Sequence, residues 1–194
     1  MGLFNLILNT IAIIAFLIEG LYAISELRES YLEQSLAQYY QRGGFNVVIR
    51  YISMIFLAGI VYSVFQYIRQ GFIGKDLKKE YDLLFHVTVL WVLSSELFSW
   101  MDIATLGTHS YKLGLSILWG IYALCLISLG IWKQKKHLRI VAIVLFGLTL
   151  VKLFIYDISH LDTISKTIVF VSLGVLLLII SFLYNKFKNL IFDE

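Results

Sequence analysis

Four charged side chains interrupt otherwise apolar segments of the chain: Glu19, Arg50, Glu96 and Lys152. A charge at the centre of a bilayer costs at least about 2.5–3.5 kcal/mol, so such residues pair with one another, line a polar cavity or take part in chemistry. Two of the four are acidic and two are basic, which allows the set to neutralise itself. These four residues are therefore the first candidates for a ligand site or an ion-pair network, although Arg50 and Lys152 lie near helix ends and could instead extend to the headgroups.

A second polar set lies in the connections between the apolar segments. Its carboxylates, imidazoles and ammonium group would border an outward-open polar cavity formed by Asp102, His109, Lys112, Asp157, His160 and Asp162. Imidazole and carboxylate groups bind metals, but no HxxxH or HxxEH spacing occurs, so we expect no metal site. A Gly-rich phosphate loop and a hydrolase triad are not indicated either. The sequence predicts no catalytic residue and no cofactor.

The apolar segments that carry these residues are long enough to cross a membrane. A helix needs about 20 apolar residues to span the bilayer core, and it satisfies its own backbone hydrogen bonds there. The apolar residues are continuous, whereas membrane-spanning strands alternate. The pattern predicts an all-α bundle, one transmembrane domain over residues 1–194, with six spans at Leu3–Ala23, Val47–Ile68, Leu83–Met101, Leu113–Trp132, Ile140–Tyr156 and Thr167–Tyr184.

The composition of the 194-residue chain also indicates a membrane protein. Hydrophobic residues make up 59% and charged residues 15%, whereas soluble domains carry about 25% charged residues. The formal net charge of +3 is too small to indicate nucleic-acid binding. A single cysteine, Cys125, excludes an intrachain disulfide. The partners we expect are membrane lipids and, for an assembly role, another protein or a second copy of the chain.

The basic residues of the connections are distributed unequally between two sides. One side holds Arg69, Lys75, Lys78, Lys79, Lys133, Lys135, Lys136, Arg139, Lys186 and Lys188. The other side holds Arg28, Arg42, Lys112 and Lys166. Because cytoplasmic loops carry the excess of Lys and Arg, both termini are predicted to be cytoplasmic. The four charged residues within the spans then lie in the outer half of the membrane.

The segment Ser25–Arg42 differs from the spans around it. Its apolar residues recur at helical spacing, with charged residues between them. This pattern predicts an amphipathic helix on the outer surface, or a linker helix packed on the bundle. We expect Gly43 and Gly44 to end it and to turn the chain into the second span.

The hairpins over residues 83–132 and 140–186 have similar sequences, whereas residues 1–82 form a first hairpin with the amphipathic connector. The outer turns Asp102–Lys112 and Asp157–Lys166 share Asp, Thr, Ser and Lys in the same order. This order predicts a duplication, although a Thr or Ser that caps the returning helix would also favour these residues. Glu96 and Lys152 occupy equivalent positions, so we expect them to form an ion pair.

Several motifs in the C-terminal half resemble a known family. They are Trp119-Gly-Ile-Tyr-Ala-Leu, Leu129-Gly-Ile followed by basic residues, Leu138-Arg-Ile-Val, Leu150-Val-Lys-Leu-Phe-Ile-Tyr-Asp-Ile-Ser and Phe170-Val-Ser-Leu-Gly. Residues 113–186 thus resemble the C-terminal part of the domain of unknown function 2339 (DUF2339) family, which are large, predicted multi-pass bacterial membrane proteins. The resemblance implies a bacterial inner-membrane setting and a truncated relative or excised piece, and it supplies no catalytic residues.

Three functions are compatible with these patterns. The first is a non-catalytic membrane or assembly module of the bacterial envelope. The second is a carrier or binding protein for a small polar or amphiphilic solute in the outward-facing cavity. The third is a membrane enzyme acting on a lipid-linked substrate at the outer leaflet, with Glu96 or an outer-loop histidine as the base. The first is favoured because no group of residues meets the requirements of an enzyme site.

Overall fold

The computed structural model describes residues 2–34, 43–70, 77–104, 108–153 and 163–192, and all elements in these ranges are helices. The first two helices are joined by a π-helical turn at Phe16–Gly20. The helices are α1 (Gly2–Ala15), α2 (Leu21–Glu33), α3 (Phe45–Arg69), α4 (Lys78–Ile103), α5 (Thr108–Trp132), α6 (Lys136–Lys152) and α7 (Thr163–Phe192). The predicted all-α fold class is confirmed.

Four helices in the described ranges are long and apolar enough to cross a membrane: Gly2–Glu33, Phe45–Arg69, Lys78–Ile103 and Tyr111–Trp132. Helix α6 has 17 residues, and the predicted fifth span continues beyond it into residues that the structure does not describe. Within α7, Lys166–Phe182 forms a shorter apolar segment. The total of six spans stays a prediction.

The first span continues into the predicted amphipathic segment without a break. Gly2–Glu33 is one helix of 32 residues, which at 1.5 Å per residue is about 48 Å long, whereas the hydrocarbon core is about 30 Å thick. The helix continues because no Gly or Pro interrupts residues 21–33. It ends at Gln34, whose φ is 48°; residues 35–42 lie outside the described ranges.

The chain forms two compact units, Met1–Ser99 and Trp100–Glu194. Each unit contains its own buried apolar residues. The single predicted domain and its division into one first hairpin and two repeated hairpins stay predictions.

In the first unit, the helix Gly2–Glu33 packs along α3. The buried core contains Ile13, Leu17, Leu21, Leu57, Val61 and Val64. Tyr81, Leu84 and Val92 of α4 pack against this core. These contacts bring α1, α2, α3 and α4 together around one apolar centre.

Hydrogen bonds between side chains define the direction of α1 relative to α3. Asn5 donates to the Tyr67 hydroxyl at 3.2 Å, and Asn9 donates to Ser63 Oγ at 3.4 Å. The start of α1 therefore meets the end of α3, so the two helices are antiparallel. Amides and hydroxyls between helices stabilise packing where lipid supplies no competing partner.

In the second unit, α5 and α6 form a tight antiparallel hairpin. Lys135 N donates to the Gly130 carbonyl at 2.9 Å, and Gln134 has a φ of 53°. A Cβ at Gly130 would lie 2.7 Å from Arg139 Cγ and 3.0 Å from Arg139 N. Glycine is therefore required here by the close approach of the two helices.

The core of the second unit has two neighbouring parts. One part brings α5, α6 and α7 together through Ala123, Phe146, Leu153 and Leu173. The other joins α5 to α6 through Leu126, Ile127, Leu138 and Ala142. Burial of these residues positions the starts of α5 and α7 beside the end of α6.

Candidate functional site

The first unit contains a buried ion pair between α3 and α4. Arg50 lies in the second turn of α3, and its side chain is only 2% exposed. Its Nε donates to Glu96 Oε2 at 2.8 Å, and its Nη2 donates to Ser95 Oγ at 2.9 Å. Two of the four predicted charged residues are thus brought together, and the guanidinium charge is balanced inside an apolar segment.

Both carboxylate oxygens of Glu96 accept hydrogen bonds. Oε2 accepts from Arg50, and Oε1 accepts from the Tyr51 hydroxyl at 3.1 Å. Hydrogen bonds to an ionised group are shorter and stronger than those between neutral groups. Two consecutive residues of α3 therefore hold one carboxylate of α4, which explains how the acid is tolerated within the span.

One nitrogen of the Arg50 guanidinium is not used by this network. Arg50 Nη1 is buried and makes no hydrogen bond in the described part of the chain. A buried donor without an acceptor costs about 1–3 kcal/mol. A water molecule or a carbonyl oxygen of a ligand at this atom would complete the hydrogen bonding of the guanidinium.

Glu19 has a different environment from Arg50 and Glu96. It is exposed and lies in the π-helical turn Phe16–Gly20, an element that occurs often at functional sites. In the described ranges it stands outside the Arg50–Glu96 pair. The structure shows that Arg50 and Glu96 neutralise each other. For Glu19 and Lys152, mutual neutralisation stays a prediction.

Lys152, the fourth charged residue, belongs to the second unit. Its Nζ donates to Ser116 Oγ at 2.8 Å and to the Lys112 carbonyl at 3.3 Å. Lys112 thus contributes its backbone, while its side chain is exposed. These bonds attach the end of α6 to the start of α5. The predicted pairing of Lys152 with Glu96 stays a prediction.

Asp102 is a candidate of the outer connections whose side-chain contact the structure describes. It accepts a hydrogen bond from the Tyr111 hydroxyl at 2.6 Å, which joins the end of α4 to the start of α5. Asp157, His160 and Asp162 lie outside the described residues, as does the His109 side chain. The polar cavity that these residues were predicted to border stays a prediction. Within the described ranges, no group of three His, Cys, Asp or Glu residues is placed to hold a metal.

Sequence analysis missed the neutral partners of the charged groups. Tyr51 and Ser95 are each adjacent in sequence to one member of the buried pair, and this adjacency was the available signal. Ser116 follows Lys112 by four residues, so the two lie on one face of α5. A hydroxyl beside an intramembrane charge is therefore a useful marker of its partner.

Comparison with known proteins identifies one family. The model of the family described as "Predicted membrane protein (DUF2339)" matches residues 2–187. The predicted resemblance is confirmed, and it extends well beyond residues 113–186 toward the N-terminus. No curated protein and no solved structure matches the chain.

Proposed function

Because this chain belongs to the DUF2339 family of predicted membrane proteins, we propose that it is a non-catalytic assembly module of the bacterial inner membrane. The observation that supports this function is the buried Arg50–Glu96 pair. The intramembrane acid and base, which are the groups best suited to chemistry, hold α3 and α4 together. Their contacts account for their presence without a substrate.

The geometry of Glu96 disfavours its use as a general base. A base needs a carboxylate oxygen within hydrogen-bond reach of the substrate proton. One oxygen of Glu96 already accepts from Arg50 Nε and the other from the Tyr51 hydroxyl. A substrate would have to share an oxygen that already accepts a hydrogen bond, so a structural role is the better explanation of the site.

The outer surface of each unit is suited to contact with lipid and with membrane partners. Large apolar side chains are exposed on the spans, including Ile55 and Phe56 on α3 and Leu178 on α7. Small residues between such side chains allow the close approach of another helix. Gly59 is one such residue, since a Cβ there would meet nothing within 4 Å.

The assembly function is tested by the mass of the particle that contains the chain. Native membranes would be extracted with a mild detergent, and the tagged protein would be measured by size-exclusion chromatography with light scattering. We expect a mass above the 22.4 kDa of one chain and a smaller mass for Gly59→Leu. Gly147→Leu is the matched control because a Cβ at Gly147 also meets nothing within 4 Å and α6 is not among the helices named above for partner contact. Recovery of the wild type as a monomer would contradict the proposal.

A second candidate function is the binding of a small polar or amphiphilic solute. The observation that favours it is Arg50 Nη1, a buried donor that a ligand oxygen would satisfy, next to a carboxylate whose side chain is 21% exposed. If the protein binds such a solute, the solute should raise the unfolding temperature of the wild type but not that of Arg50→Lys. A protein that serves only in assembly should show no such rise.

We also propose that both termini are cytoplasmic, as the distribution of basic residues indicates. In a Cys125→Ser background, Lys135→Cys would lie in the cytoplasmic turn between α5 and α6. We expect an impermeant maleimide added to intact cells to leave it unlabelled. Ala104→Cys, directly after α4 and before α5 begins, is the control that should be labelled. Labelling of Lys135→Cys before lysis would reverse the topology.

We also propose that the helical hairpin is duplicated in the chain. The starts of α5 and α7 line one cavity, which supports a parallel arrangement of these two helices. Parallel repeats are related by an axis along the membrane normal. A superposition of residues 96–132 on 152–184 that pairs the helices in opposite directions would refute it.

A further inference from the structure

One end of the second unit contains a cavity of about 110 Å³. It lies between the N-terminal halves of α5 and α7 and the last turns of α6. Its apolar lining is formed by Leu113, Ile117, Phe146, Leu153, Ile168 and Leu173. An apolar cavity of similar size, about 150 Å³, stays dry and accepts an apolar ligand. Hydrocarbon is therefore a suitable occupant of this space.

The cavity reaches the outer apolar surface of the unit. Ile117 and Ile168 line it, and they are 46% and 60% exposed. The exposed faces of these spans contact the lipid of a membrane. An acyl chain therefore has direct access to the cavity from the bilayer.

A positive charge is hydrogen-bonded to one polar residue of the cavity lining. Ser116, which lines it, is 3% exposed, and its Oγ accepts the hydrogen bond from Lys152 Nζ at 2.8 Å. Lys152 Nζ also donates to the Lys112 carbonyl at 3.3 Å. The ammonium at the end of α6 is thus held by two oxygens of α5, and one of them belongs to a residue that lines the cavity.

We propose that the cavity binds an anionic phospholipid, with part of one acyl chain in the apolar space and the headgroup phosphate beside Lys152. Basic sites between membrane helices favour anionic headgroups. A zwitterionic lipid with the same chains would gain the apolar contacts and less of the electrostatic attraction. This inference goes beyond the assembly function and does not depend on it, since all its residues lie in the second unit.

Native mass spectrometry of the purified full chain tests the site. The probes are phosphatidylglycerol and phosphatidylcholine with identical acyl chains. One basic residue near an anionic lipid is worth about a fivefold difference in affinity, so we expect phosphatidylglycerol to bind about fivefold more tightly. Lys152→Gln should reduce phosphatidylglycerol binding to the phosphatidylcholine level, and Lys152→Arg should preserve it. Inorganic phosphate alone should not bind.

Cavity filling tests the acyl chain separately from the charge. Ser172 lines the cavity, so Ser172→Phe should weaken the binding of both lipids. The matched controls are Lys133→Gln and Ser128→Phe, which change exposed residues toward the other end of α5 and should leave binding unchanged. Equal affinity of the wild type for the two lipids would overturn the proposal. Unchanged lipid binding by Ser172→Phe would overturn it as well, and so would binding of inorganic phosphate as tight as that of phosphatidylglycerol. Both results can be obtained even if Lys152→Gln does not fold.

Discussion

Replacing Glu96 by glutamine is expected to lower the free energy of unfolding by about 2 kcal/mol. This value lies between the about 3–5 kcal/mol lost when a buried pair is broken in a soluble protein and the about 0.6 kcal/mol average of membrane hydrogen bonds. The physical reason is that the Arg50 guanidinium, 2% exposed, would lose the carboxylate that balances its charge. Thermal unfolding in nanodiscs should show a midpoint about 4–8 °C lower.

The double variant Arg50→Met with Glu96→Gln is expected to recover part of this loss, because it removes the unbalanced charge. Coupling between the two positions is measured by a double-mutant cycle. Glu19→Gln is the matched control: it makes the same substitution at an exposed glutamate in another span, and its midpoint should remain close to that of the wild type. Strictly additive effects of the Arg50 and Glu96 changes would show that the pair contributes no coupling.

The second large effect is expected at the α5–α6 hairpin. Gly130→Val should lower the free energy of unfolding by about 1–3 kcal/mol, the usual cost of overpacking. A Cβ at this position would lie 3.0 Å from the backbone nitrogen of Arg139 and 3.3 Å from Leu138 Cβ. The side chain of Arg139 can move away, but its backbone can do so only by separating the helices.

Gly147→Val is the control for this change. Gly147 is also helical, but a Cβ there meets nothing within 4 Å. Its free energy of unfolding should therefore stay within about 0.5 kcal/mol of the wild type. A Gly130→Val protein that unfolds at the wild-type midpoint would contradict the close packing of α5 on α6.

The helical elements were predictable because a continuous apolar segment has one stable form in lipid. The prediction Val47–Ile68 agrees closely with α3 at Phe45–Arg69. The end of the first helix was less predictable. Hydropathy marks where side chains become polar, whereas residues such as Glu26, Arg28 and Glu29 continue a helix readily. The helix therefore extends to Glu33.

The candidate residues were predictable, but their partners were only partly so. An ionised group in an apolar segment is visible in a sequence because of its cost. The choice of partner depends on how two helices face each other, which no spacing within one helix determines. The similarity of the two hairpins favoured Lys152 as the partner of Glu96. The structure shows a contact of Glu96 with Arg50, and the pairing with Lys152 stays a prediction.

The cavity of the second unit was not predicted from the sequence. Its lining consists largely of apolar residues from three separate helices, and each resembles an ordinary core or lipid-facing residue in its own segment. Lys152 was recognised as a charge within a span, and its hydrogen bond to Ser116 places that charge at the cavity. Only the packing of α5, α6 and α7 makes the combination visible.

The central claim is that Arg50 and Glu96 form a structural ion pair inside the first unit. NMR of the arginine Nε–H groups in ¹⁵N-labelled protein in nanodiscs tests it most directly. We predict an Nε–H signal that exchanges slowly with water, is missing from Arg50→Lys, shifts in Glu96→Gln and is unchanged in Glu19→Gln. An Arg50 Nε–H that exchanges as fast as that of an exposed arginine, and does not respond to Glu96→Gln, would contradict the account.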